Sequence, residues 1–460
     1  MQRLFGSVLA TLALTVAAGS GCSSDEDDGG SGDGSGTGGS SEGGSGGTNQ
    51  GGSSGAAQGG SAGRGGSGAT TSGGGSGATG GSGTTGGTGA TGGAGTTGGS
   101  GGSSGTGTGK SLAADFARKL GREPNFLIGM GNDLENDHNQ DGAYTLGVTM
   151  DIHYAYLVGL PGQGGWPDWN AGGTFVNILA DSADDHGTTP MYDAYSMAAA
   201  GEANEAVLTD PGYMGPWWEQ MELLFERLAV FDKPAIVHVE PDFWGFQQNL
   251  SGGDPESISV LIHDHVDGCD DQPENLVGFG HCIIKLSRMI SPKVVIGFHA
   301  SRWGGTPASM VEFLTAVGAD EGDFIGMDML DRDAGCFEEH TDPNCQRNDG
   351  PWYWDETNQT SPNFHEYLAY SKTIGDGLGL PILWWQIPFG VPSDTPGGSA
   401  GRYRDNRVRY IFSHIEEFIA AGGVGAAFGV GAGNQTYIDS DGGQFRTAVN
   451  AYFDNPVPLE

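Results

Sequence analysis

The chain has 460 residues, 57 acidic against 20 basic, and a formal net charge of −37. A surface this negative repels nucleic acid and anionic lipid, is indifferent to a neutral polymer such as a polysaccharide, and attracts cations. Residues before Lys110 carry only −4 of that charge, so nearly all of it belongs to residues 110–460.

Taken in chain order, Arg3 followed by the apolar run 4–18 has the charge-then-hydrophobe order of a secretion signal, and the run is too short to span a membrane. It ends in Ala18-Gly19-Ser20-Gly21-Cys22. A Cys preceded by small residues after such a run resembles the lipobox of bacterial lipoproteins, which implies lipidation of Cys22 and anchoring in the cell envelope. Gly19 stands where that motif has Leu, and the alternative is ordinary cleavage near Ala17 or Ala18 with release of an extracellular protein. Residues 23–109 are nearly all Gly, Ser and Thr and contain no Trp, Tyr or Phe. With no apolar surface to offset the entropy of ordering, a disordered linker with a reach of roughly 50 Å is expected.

From residue 110 the pattern changes. Short apolar runs bounded by turn signals fall at 125–132, 146–156, 189–195, 235–242, 294–301, 324–331, 382–388 and 425–431. Amphipathic stretches of helical period lie between most of them, at 217–231, 281–290, 307–317, 363–374 and 406–421. Such alternation implies a parallel sheet with crossover helices, and about eight repeats favour closure into a (β/α) barrel of the triosephosphate-isomerase type, seven strands being equally allowed. The rival, an open doubly wound sheet, lacks its Gly-x-Gly-x-x-Gly after the first strand. Four of the five Cys lie in this domain. Their spacing suggests two local disulfides, Cys269 with Cys282 and Cys336 with Cys345, and neither pair has the Cys-x-x-Cys spacing of a zinc site.

In a barrel, chemistry collects where strands end at their carboxyl side. The residues assigned to those ends include Asp151 and His153, Asp193 and Tyr195, Glu240 and Asp242, His299, Ser301, Arg302 and Trp303, Asp328, then Trp384, Trp385 and Gln386. With Trp244 they combine carboxylates with flat rings. That combination suits a sugar, whose C–H faces stack on aromatics and whose hydroxyl edges take charge-assisted hydrogen bonds. Glycosidic cleavage needs two carboxyl groups, one protonated to assist the leaving oxygen and one ionised as base or nucleophile.

Glu240-Pro241-Asp242, after the apolar strand Ile236-Val237-His238-Val239, resembles the signature of family 6 glycoside hydrolases, cellulases acting on β-1,4-glucan. The resemblance implies Asp242 as general acid. Tyr192-Asp193 matches the start of the family's upstream motif, whereas Met197 and Ala198 stand where the family has Arg-Asp. His299-Ala300-Ser301-Arg302-Trp303 and Trp385-Gln386-Ile387-Pro388 resemble two later family motifs without their Lys and Glu, leaving Asp394 near the expected base. A second pairing, Glu240 with Asp328, is the alternative.

Asp137, Asn139, Asp141 and Gly142 fit the first half of a calcium loop, but Val148 stands where its closing Glu belongs, so structural calcium competes with a plain polar loop. His153 or His299 with Asp151 or Asp328 could hold a metal, but no His-x-His or His-Glu-x-x-His spacing supports it. The expectation is an exported monomeric glycosidase acting on an extracellular, β-glucan-like polysaccharide without an obligatory cofactor. It makes no use of nucleic acid and touches a membrane only through a lipid anchor. The alternative is a non-catalytic carbohydrate-binding surface lipoprotein.

Overall fold

A computed structural model of the chain describes residues 109–131, 142–348, 350–392, 396–429 and 435–460. The secretion signal with Cys22, the linker as far as residue 108, the calcium candidates Asp137, Asn139 and Asp141, and Asp394 lie outside the described residues.

Among the described residues eight strands form the barrel: Leu127–Gly131 (β1), Ile152–Leu157 (β2), Thr189–Ala194 (β3), Ala235–Val239 (β4), Val294–His299 (β5), Phe324–Asp328 (β6), Ile382–Ile387 (β7) and Gly423–Phe428 (β8). They pair in a closed ring, β1-β8-β7-β6-β5-β4-β3-β2, and every pair is parallel. This is the eight-stranded barrel of the triosephosphate-isomerase type. Helices cover its outside and side chains fill its inside, so each strand is buried on both faces and reads as a short, nearly continuous apolar run.

Among the described residues the α-helices of six residues or more are Gly109–Lys119 (α1), Phe175–Asp185 (α2), Pro211–Phe231 (α3), Phe243–Leu250 (α4), Leu276–Ile290 (α5), Pro307–Ala316 (α6), Ala334–Glu339 (α7), Phe364–Leu378 (α8), Arg407–Ser413 (α9), Ile415–Ala420 (α10) and Gln444–Asp454 (α11). Four of them start on a side chain that accepts a backbone N–H of the first turn. Asp210 caps α3, Asn275 α5, Thr306 α6 and Asn363 α8, each contributing about 1 kcal/mol.

Among the elements whose bounds differ from the sequence reading are α3, the stretch 406–421 and β2. Helix α3 begins at Pro211, because Asp210 caps it and a proline is tolerated at the first helical position, so Pro216 sits inside the helix and does not start it. The stretch 406–421 is two helices, broken at His414, where the backbone leaves the helical region at φ −139°. Strand β2 starts only at Ile152; the apolar Leu146 and Met150 ahead of it are core residues outside the ladder.

Cys269 bonds to Cys282 and Cys336 to Cys345, as expected of a domain that folds in an oxidising compartment. The C-terminal segment closes the amino end of the barrel. Phe126 N–H donates to the Val457 carbonyl at 2.9 Å, and Leu459 N–H to that of Pro124 at 2.8 Å. Among the described residues no helix is long and apolar enough to cross a membrane.

Candidate active site

The site is built at the end of β4. Glu240 and Asp242 both adopt positive φ, 45° and 67°, on either side of Pro241. For residues with a Cβ this backbone is costly, of order 1 kcal/mol or more each, and the corner persists because its surroundings fix it. The corner sends the two carboxyls in different directions. Glu240 is fully buried. Its oxygens accept the Ser196 N–H at 3.1 Å, the Met197 N–H at 3.0 Å and the Trp217 indole N–H at 2.8 Å. Burial pushes this carboxyl up to about 8 against the pull of those three donors. Glu240 therefore ties the loop after β3 to α3 and has no oxygen left facing the cleft.

Asp242 turns the other way and is half-buried. The Tyr195 hydroxyl, which donates to Glu202 Oε1 at 2.6 Å, lies 3.2 Å from its Oδ2, and the Ser301 hydroxyl donates to its Oδ1 at 3.4 Å. Burial raises its carboxyl to about 7; a protonated His299 would pull it down, while Asp328, Asp331 and Glu202 push the same way as burial. These five groups thus converge on one patch of the carboxyl rim. An acid poised near neutrality can hold a proton for a leaving group and release it.

Asp328, at the end of β6, belongs to the same patch. His299 Nε2 lies 3.4 Å from its Oδ1. Behind it a polar chain runs through the barrel interior: His299 Nδ1 to His238 Nε2 at 3.1 Å, His238 Nδ1 to Asp193 Oδ1 at 2.9 Å, and the Trp385 indole N–H to Asp193 Oδ2 at 2.9 Å. The indole of Trp385 meets both imidazoles edge to face. The ladder sets this up, because Asp193 is the register partner of His238 and Asp328 that of Trp385.

The remaining candidates divide. Trp303 is 45% exposed and Arg302 is also exposed; both occupy the short turn after β5 that carries Ser301. Trp303 packs on Phe246 of α4 at 4.5 Å between centroids, and Arg302 lies over the rings of Tyr367 and Tyr370. Gln386, the residue before the last of β7, has φ 52°. The structure places the others away from the rim. Tyr192 points outward, its hydroxyl on the Val176 carbonyl of α2. Trp244 is buried against Phe298, and Trp384 between Phe126 and Phe418. Asp151 precedes β2 and His153 sits near its start, so both lie at the amino end of the barrel. There Asp151 accepts the Ile128 N–H at 2.9 Å, and His153 meets the Tyr144 hydroxyl at 2.5 Å. Burial raises Asp151 to about 6 and lowers His153 to about 4.

Sequence reasoning placed Tyr195 and Ser301 at strand ends without pairing them with Asp242, and it missed Glu202, which carries no local signal. Among the described residues no three His, Cys, Asp or Glu side chains gather as a cation site, and His153 and His299 stand at opposite ends of the barrel.

No family model matches this sequence, and no curated protein matches it. Solved structures similar to the chain include a D-psicose 3-epimerase from Clostridium cellulolyticum, at 12% identity over 72% of this chain and 99% of that one, TM-score 0.36. An endoglucanase Cel6 from Mycobacterium tuberculosis is 14% identical over 58% of this chain and 73% of its own, TM-score 0.31. An endo-β-mannanase/endo-β-glucanase from Prevotella bryantii is 14% identical over 74% and 46%, TM-score 0.40.

Proposed function

We propose that the barrel is a glycoside hydrolase acting on an extracellular, β-glucan-like polysaccharide, with Asp242 as general acid and Asp328 as the second carboxyl group. The observation that carries this reading is the state of Asp242. It is a half-buried carboxyl at the carboxyl rim, flanked by two hydroxyls and raised to about 7 by burial and by neighbouring acids. A carboxylic acid held protonated beside further carboxylates is what departure of a sugar oxygen requires, and two-carboxyl hydrolysis needs no cofactor. Trp303, two residues from Ser301, offers the exposed ring on which a sugar face would stack. Export fits the two disulfides, and the glycine-rich tether would hold the domain away from the envelope whether or not Cys22 is lipidated.

A second reading, a carbohydrate-binding domain without turnover, is favoured by Met197 and Ala198, which stand in place of the motif's charged pair, and by the full engagement of Glu240. Reducing-end release from a glycan panel separates the two. A hydrolase makes new ends and loses them on Asp242→Asn with the melting temperature undiminished. A binder depletes polymer from solution and makes none. Wild-type turnover in Asp242→Asn would remove Asp242 from the mechanism.

A further inference from the structure

We propose that Asp193 is a positioning residue that carries a proton and fixes both barrel histidines as Nε2–H tautomers, so that a one-way chain of donors, Asp193 to His238 to His299, ends on Asp328. Three contacts, Asp193–His238, His238–His299 and His299–Asp328, link four side chains, and each contact holds one proton.

With both rings neutral, only two arrangements use all three contacts. In the outward one, Asp193 Oδ1–H donates to His238 Nδ1, His238 Nε2–H to His299 Nδ1, and His299 Nε2–H to an ionised Asp328. In the inward one both rings are Nδ1–H, Asp193 is ionised and Asp328 is protonated. The two differ only in which end of the chain holds the negative charge, and burial decides between them. Asp193 is fully enclosed and, among the described residues, pairs with no Lys or Arg; the Asp328 side chain is 22% exposed at the rim. An ionised carboxylate is far costlier in the interior than at a wet rim.

Two further observations agree. Trp385 Nε1–H can only donate, and it occupies Asp193 Oδ2, which leaves Oδ1 as the oxygen that faces His238. Burial also pushes the Asp193 carboxyl well above its ordinary range and the His238 imidazole well below its own, so that both are neutral. The consequence for catalysis rests on the hydrolase reading: His299 presents an N–H to Asp328 and keeps it ionised, the state required of a base beside a protonated Asp242.

The test is carried out on the full chain labelled with 15N-histidine. Long-range 1H–15N spectra at neutral pH are expected to show His238 and His299 both neutral and both protonated on Nε2. Asp193→Asn reproduces the proposed hydrogen bonding, since its Nδ2–H donates to His238 and its Oδ1 accepts from Trp385, and is expected to leave both tautomers in place. Asp193→Ala removes the donor. It is expected to mix the tautomers and lower kcat by about tenfold, the equivalent of one hydrogen bond, and Asn is expected to restore most of that loss. A Nδ1–H tautomer or an imidazolium at His238 in the wild type would overturn the proposal, as would a tautomer flip in Asp193→Asn. Should Asp193→Ala not fold, the wild-type and Asn spectra decide alone. Tautomers as stated with no turnover on any glycan would count against the hydrolase reading and leave the proton arrangement standing.

Discussion

Replacing Gly326 by Ala tests how tightly the interior chain is held. Gly326 lies on β6 across from the His238 ring. An ideal Cβ there would fall 2.3 Å from His238 Nε2 and 2.9 Å from two ring carbons, where real contacts are no closer than 3.0 Å. The ring has little freedom to yield, because Asp193 holds Nδ1 at 2.9 Å and His299 faces Nε2 at 3.1 Å. Relieving the overlap means moving the sheet or lengthening one of those bonds. Overpacking of a close-packed interior costs roughly 1–3 kcal/mol, and a weakened buried hydrogen bond about 1 kcal/mol more, so Gly326→Ala is expected to destabilise by about 2–4 kcal/mol. For a domain of this size that is a fall in Tm of roughly 3–5 °C. Thermal melts followed by circular dichroism, with urea unfolding as a second measure, give the number. The histidine 15N signals should shift as well. A variant within about 0.5 kcal/mol of wild type and with unmoved histidine resonances would refute the picture of a clamped ring, because a change that small marks a site away from such features.

The pH dependence of stability follows from Glu240, Asp242 and Asp333, which burial raises to about 8, 7 and 8. Each keeps a proton in the folded state at a pH where the unfolded chain has released it. Their contribution is therefore complete below the ordinary carboxylate range and lost as pH rises through about 7 to 8. Asp355 works oppositely: hydrogen bonds from Thr357 and Thr360 hold it below its ordinary value, and its contribution is lost under acid conditions. Tm is thus expected to be higher near pH 5 than near pH 8. A Tm that rises steadily across that interval would contradict the buried neutral carboxyls.

Much of the architecture was legible in order along the chain. Each of the eight apolar runs overlaps one barrel strand, because a strand buried on both faces leaves a nearly uninterrupted apolar run that turn residues delimit on either side. The two disulfides were legible for a similar reason, since each closes a short local loop. Where the reading slipped, a short-range rule met a long-range one. The run 146–156 is apolar throughout, but only its end enters the ladder, so Asp151 and His153 were assigned to the carboxyl rim although β2 begins beside them. Trp244 and Trp384 were grouped with the site by nearness in sequence and Tyr192 by the family motif, and the facing of their strands and helices put them in the core or the outer layer.

The sequence by itself determined that residues 110–460 alternate strand and helix about eight times, and that an acidic corner, Glu240-Pro241-Asp242, follows the fourth strand. Only the tertiary structure decided which acid of that corner faces the rim, because the choice depends on backbone and indole donors from the loop after β3 and from α3 that capture Glu240. Only closure of the barrel could bring Asp193, His238, His299, Asp328 and Trp385 into one hydrogen-bonded line. Successive contacts in that line span 45, 61, 29 and 192 residues. Local periodicity governs each strand separately, whereas the partners of a buried polar group are set by how all eight come together.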